Sequence, residues 1–546
     1  MNGMNGHAGS KHSLIYEEKA GLLDEKTLSD FEGDGARHGV DSRVFGHARF
    51  LASTAQASIH GLGSVSWRSA PLRIGFFLLP SFVQSRLSRD PRLRNGGERL
   101  GPTAYLDGMR GLAALFVFFC HYFYSYFFIA FSWGYGENNY HVLKLPFIRL
   151  FYQGPPMVCV FFVISGYALS LRPLKLIRAR NFDSLASTMA SFIYRRAFRL
   201  FIPPAISTLF IVFLLRIGLY EWTRDFADDR RYLKNVREPH YRRFPTASEQ
   251  LWDWSRAMFN FVHIWSWDRF GGSTSIDPHL WTIPVEFRAS MMLFLTLMGT
   301  ARLKTWVRLA CVGLLAWFTD RSDKWEMLLF YAGMLLAELD LIRGAHKTPA
   351  AATSLPPAET QKYHHPALLS LGHAAPPPPS PSRRSRAKSL GWVALSILGL
   401  YFMSQPDDGG HATPGWVFLT SLVPDHWSDK YRYWQVIGSI LFIFSVGHSP
   451  GWQRFFNSPV VQYFGKISYA IYLMHGPVMH TVGYAIERAV WNVTGVEGPN
   501  YNLGFVLASF LVIPSVVWAA DIFWRAVDAP VVRFAKWVEA KSSISD

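Results

Sequence analysis

The sequence predicts an all-α fold, a polytopic membrane helix bundle of about ten transmembrane helices behind a disordered N-terminal tail. Three observations predict it. Half of the 546 residues are hydrophobic and only 17% are charged, which is low for a soluble chain of this size. Apolar runs long enough for helices to cross a bilayer recur from about residue 108 to residue 525. Basic residues concentrate in alternating loops, as cytoplasmic loops require. The formal net charge of +16 is therefore assigned to segments facing one side of a membrane rather than to a nucleic-acid partner. Cys120, Cys159 and Cys311 lie in or beside apolar segments, so neither a disulfide framework nor a zinc or other metal site is expected.

Residues 1–100 read as a cytoplasmic N-terminal region, polar and Gly/Ser-rich to about residue 70 and without the apolar core of a cleavable signal. Leu72–Phe82 is apolar, but it is too short and too Pro-broken for a span and suits an interfacial helix. Arg86, Arg89, Arg92, Arg94 and Arg99 place the start of the first span on the cytoplasmic side. The expected spans are about 108–131, 157–171, 200–219, 281–299, 305–319, 326–342, 390–404, 433–447, 467–487 and 503–525. Trp252–Trp267 is an extra aromatic-rich segment, re-entrant or interfacial. Loop 172–199 carries seven Lys/Arg against Asp183, and 343–389 carries seven against Glu359. Loop 405–432 instead carries Asp407, Asp408, Asp425 and Asp429, and the Asn492-Val493-Thr494 glycosylation acceptor falls on the same outer side. Ten spans with both termini cytoplasmic, in an endomembrane or the plasma membrane, satisfy these loops. The Pro-rich 343–389 stretch is a cytoplasmic linker within the 101–537 membrane domain, and 538–546 is a C-terminal tail. No internal repeat is visible, which disfavours a transporter built from inverted repeats.

The chemistry is concentrated in Tyr105–His121. Arg110 and His121 are eleven residues apart, so both face the same way on a helix and lie roughly 16 Å apart along its axis. An intramembrane histidine is either bonded structurally to a neighbouring helix or functional. As a general base it needs little adjustment to take a hydroxyl proton at neutral pH. Arg110 is either a positive-inside flank or an anion contact. Arg196 and Arg199, spaced i,i+3, share a helical face and form a phosphate clamp, unless they too are only flanking charge. Glu286, in the stretch from His279 to Arg288, is expected one or two turns inside the outer surface. There it either makes a structural pair with an arginine or orients a substrate hydroxyl or the histidine. Ser165 and Gly166 mark a close helix approach. Ser468, Tyr472 and His475 can face one side of the ninth span, for packing or for acceptor contact.

Together these landmarks resemble the acyltransferase 3 family of integral-membrane O-acyltransferases. The resemblance runs from about residue 102 to residue 537. It rests on Arg110 and His121, on Arg196 and Arg199 before Pro203, and on the FFVISGYALS, LWTIPVEF and GKISYAIYLMHGP stretches. Asp528-Ala529-Pro530 is similar to the final Glu-x-Pro element of the family. The long tail, the linker and the Asn-Val-Thr site suit a eukaryotic, fungal member. The resemblance implies transfer of an acyl group, usually acetyl, from cytosolic acyl-CoA to a hydroxyl of a carbohydrate, lipid or secondary metabolite, with no bound cofactor. It implies His121 as catalytic base or acyl relay, Glu286 as its acceptor-side partner, and Arg110, Arg196 and Arg199 as the donor-phosphate contacts. The rival reading is a transporter or exporter of an anionic or acylated substrate, which would move substrate without forming an ester.

Overall fold

The computed structural model describes residues 70–87, 100–137, 139–263, 274–344 and 383–544. The N-terminal tail, most of the arginine run before the first span and most of the Pro-rich linker lie outside the described residues. The helices, in chain order, begin with α1 (Ala70–Leu78), α2 (Ser81–Leu87), α3 (Ala104–Tyr124), α4 (Gly154–Arg178), α5 (Phe182–Arg216) and α6 (Leu219–Asp228). They continue with α7 (Ala247–Val262), α8 (Thr282–Gly299), α9 (Thr305–Arg321), α10 (Trp325–Arg343), α11 (Arg383–Met403) and α12 (Val417–Ser421). The remainder are α13 (Arg432–Gly447), α14 (Pro450–Phe456), α15 (Pro459–Val478), α16 (Tyr484–Thr494), α17 (Gly498–Phe523) and α18 (Ala529–Ser542). Among the described residues there is no strand.

By length and composition, four helical segments can cross a membrane among the described residues: Gly154–Arg178, Phe182–Arg216, Pro278–Gly299 and Gly498–Ser542. This is fewer than the ten expected. The first expected span shows why. Its helix stops at Tyr124 rather than continuing to about 131, and it carries Asp107, Arg110 and His121 along its length. Helices occupy the other expected spans, several of them short and polar at their ends. Of the expected aromatic segment Trp252–Trp267, residues 252–262 lie in the amphipathic helix α7, opened by a capping box between Thr246 and Glu249, and 264–267 lie outside the described residues. The expected interfacial segment 72–82 breaks at Pro80 into α1 and α2. Their ends clasp α17: Ser81 Oγ donates to Asp521 at 2.6 Å, and Arg525 donates to the Phe77 and Leu79 carbonyls.

Glycines set the helix spacing that matters for the site. α3 and α15 run parallel and touch backbone to backbone. A Cβ on Gly111 would lie 2.3 Å from the Gly465 nitrogen, and one on Gly108 would lie 2.1 Å from the Phe456 carbonyl oxygen at the end of α14, just before α15. α4 and α10, also parallel, cross at Gly166 and Gly333, where a Cβ on either would meet the other's backbone at 2.3 Å. The second crossing is the close approach expected at Ser165-Gly166. α3 and α4 are antiparallel, since Cys120 of α3 lies against Gly154, the first residue of α4. Near the end of α15, Pro477 removes an N–H from the helical ladder. The helix then widens into a π turn over Met479–Gly483.

Candidate active site

The α3–α15 seam has two polar ends. At one end three imidazoles meet: His121 from α3, His475 from α15, and His279 from a short 3-10 turn (Pro278–Trp281) leading into α8. The ring centroids of His121 and His279 are 4.2 Å apart, those of His279 and His475 are 4.9 Å apart, and those of His121 and His475 are 5.3 Å apart. His475 is fully buried, while His121 retains some exposure.

Local backbone fixes two of these rings. Asp277 caps the 3-10 turn, and its Oδ1 accepts from the His279 backbone N–H at 3.1 Å and from Nδ1 at 2.8 Å. A carboxylate can only accept, so Nδ1 carries the proton. His475 Nδ1 donates to the Ile471 carbonyl one turn earlier, at 3.2 Å. Its Nε2 is buried with no hydrogen-bond partner among the described residues. Glu238, from the loop between α6 and α7, brings a second carboxylate. Its Oε1 is 3.7 Å from His279 Nε2, and its Oε2 accepts from His480 Nε2 at 3.1 Å. Burial pushes the Glu238 carboxyl upward, but the charges and bonds of His279 and His480 outweigh it and hold it well below the ordinary range. Burial likewise raises Asp277, and the bond and charge of His279 again bring it below its ordinary value. Both carboxylates are therefore ionised at neutral pH.

At the other end of the seam Arg110 donates from Nε to Ser468 Oγ at 3.1 Å. Arg196, on α5, donates to Ser290 Oγ at 3.1 Å and to Glu286 Oε1 at 2.8 Å, and Ser165 Oγ donates to the same Glu286 oxygen at 3.0 Å. Asp528, between α17 and α18, lies within electrostatic reach of Arg199 and Arg110. A cleft lined by Phe192, Arg195, Arg196, Arg199 and Val532 opens beside them.

Residues 103–525 match the family model of the acyltransferase domain that defines the acyltransferase 3 family. The chain belongs to that family. Its relatives include the O-acetyltransferase PaAT-1 of Phomopsis amygdali, 30% identical over 486 residues that cover 84% of this chain and 87% of the relative. Acyltransferase R4 of a Phoma species is 25% identical, covering 81% of this chain and 97% of the relative. Acyltransferase clz18 of Cochliobolus lunatus is also 25% identical, covering 79% and 94%. These relatives are fungal. No solved structure matches the chain.

Within this family member the expected site residues fall into two groups. Arg110, Arg196, Arg199, Glu286 and Ser468 gather at one end, and His121 and His475 at the other. Tyr472 lies between, its hydroxyl bonded to Thr282 Oγ1 at 2.7 Å and to the His279 carbonyl. Glu286 makes the pair with an arginine that was one of its expected readings, bonding Arg196 two turns beyond His279. Ser468 holds Arg110, seven residues before His475, so it is not an acceptor-side neighbour of the imidazoles. Asn492 is exposed in the last turn of α16. The sequence reading assigned no role to His279, Asp277, Glu238 or His480. The Asp277-Pro278-His279 turn was a local signal for the first pair. Glu238 comes from a distant loop, and no spacing pointed to it.

Proposed function

We propose that this chain is a multi-pass membrane O-acyltransferase that moves an acetyl group from acetyl-CoA to a hydroxyl of a carbohydrate, lipid or secondary-metabolite acceptor. The single observation that carries the reading is the α3–α15 seam, where Gly111 and Gly465 hold an arginine end and an imidazole end on one line. Arg110, Arg196 and Arg199 bind the donor phosphates, where guanidiniums give paired, charge-assisted bonds. Glu286 and Asp528 hold those guanidiniums apart until the donor's anionic groups replace them as partners.

His121 is the general base. It takes the proton from the acceptor hydroxyl as the oxygen attacks the thioester carbonyl. The tetrahedral intermediate collapses with cleavage of the C–S bond, and the protonated imidazole returns that proton to the departing thiolate. No proton is gained or lost overall. His279, fixed by Asp277, presses its ring edge against His121 and positions it. The buried histidine end excludes water and protects the thioester from hydrolysis.

Loop charge supports termini on the cytoplasmic side and the donor entering there, with Asn492 on the opposite side. The name of the Phomopsis relative supports acetyl as the group transferred. The test is label transfer and CoA release from radiolabelled acetyl-CoA by purified protein in nanodiscs, with a panel of hydroxylated acceptors. Release that depends on acceptor and is lost in His121→Ala is expected. Substrate flux across vesicles with no ester formed would favour a transporter.

A further inference from the structure

The three imidazoles do more than surround a base. One nitrogen from each of His121, His279 and His475 lies within 4.8 Å of the others. We propose that these residues take one divalent transition-metal ion, zinc foremost, and that the ion and acyl transfer compete for His121. The second clause rests on the reading of His121 as the base; the first does not.

The donor set fits such an ion. Imidazole nitrogen suits Zn²⁺, with bonds of about 2.0–2.1 Å. A tetrahedral centre with bonds of that length separates its ligand nitrogens by about 3.4 Å. Drawing three nitrogens from 4.8 Å to that spacing moves each by less than about 1 Å toward their common centre. The outer contacts are those of a ligand set. His279 gives its Nδ1 proton to Asp277 and His475 gives its own to the Ile471 carbonyl, so Nε2 is the nitrogen that would bind in both rings, that of His279 by giving up the proton that faces Glu238 Oε1 at 3.7 Å. His475 Nε2 is buried without a partner among the described residues, and a ligand would satisfy it. Asp277 and Glu238 set two carboxylates against His279, at 2.8 and 3.7 Å from its ring nitrogens, the outer partners of a ligand histidine. The partial exposure of His121 leaves a way in. An ion on His121 occupies the lone pair that would take the hydroxyl proton, so a loaded site and a working base exclude each other.

The test is a Co²⁺ titration of tag-free, chelator-stripped full-length protein in nanodiscs, read by the visible d–d bands of tetrahedral cobalt. One Co²⁺ per chain, displaced by Zn²⁺, is expected. His475→Ala should abolish the bands and His448→Ala, remote from the cluster, should keep them. Stripped protein should release CoA, and one equivalent of Zn²⁺ should slow that release at least tenfold. Absence of tetrahedral bands in the wild type at millimolar Co²⁺ overturns the site, and this result needs no variant to fold. Bands that persist in His475→Ala also overturn it. If the stripped protein is active and no bands form, the metal proposal alone fails. If it is inactive and Zn²⁺ restores it, the site stands and both the competition and His121 as a free base fail.

Discussion

The two ends of the α3–α15 seam are built on opposite principles. The arginine end holds guanidiniums against carboxylates, with Arg196 and Glu286 side chains 11% and 23% exposed, beside a small cleft. Each ion pair there has a replaceable partner, which suits a site that must bind and release a phosphorylated donor. The histidine end has no arginine or lysine among the contacts described. Its carboxylates touch the imidazoles of His279 and His480, and His475 Nε2 has no hydrogen-bond partner among the described residues. On the proposed function, one end binds charge and the other moves a proton. Parallel packing, with glycine at the crossing, lets one pair of helices carry both.

The change with the largest expected effect abolishes the comparison itself. Gly111→Ala puts a methyl 2.3 Å from the Gly465 nitrogen, where both neighbours are backbone and neither can yield. Overpacking of this kind costs about 1–3 kcal/mol or more. The expected outcome is a lowered Tm with donor binding and transfer lost together. Arg196→Ala comes next. Loss of a charge-assisted phosphate contact of about 1.5–3 kcal/mol should raise KM for acetyl-CoA roughly 10–100-fold while kcat changes little, as steady-state kinetics would show. Arg196→Lys should restore only part of it, because one ammonium cannot satisfy both Glu286 and Ser290 as the guanidinium does. Asp277→Asn should do the reverse, lowering kcat about tenfold with KM for the donor unchanged, because a neutral acceptor holds His279 about half as strongly. The smallest effect is expected for Glu286→Gln, which loosens Arg196 without touching the histidines. Donor KM should shift by no more than about fivefold. A large fall in kcat there, with donor binding intact, would return Glu286 to the acceptor side.

Much of this seam was legible in the sequence. The eleven-residue spacing of Arg110 and His121 put both on one face, and a continuous helix carries them so. Ser468 and His475 share a face for the same reason, one of them at each end. The count of spans was less legible. The helix bearing the candidate site must accommodate Asp107, Arg110 and His121, and these dilute the apolar composition that marks a span. Which arginine pairs with Glu286 was not legible, because Arg196 is ninety residues away in sequence and helix periodicity says nothing about which neighbour a face meets. His279 and Asp277 were a readable turn whose importance came only from packing against α3.

The division of labour along the seam is tested most directly by His121→Ala, with acetyl-CoA binding and single-turnover label transfer measured on the same preparation. The account predicts binding within about twofold of the wild type and transfer slowed by roughly 10²–10⁴, the contribution of a general base. Binding lost along with transfer, or transfer that continues at the wild-type rate, would contradict it.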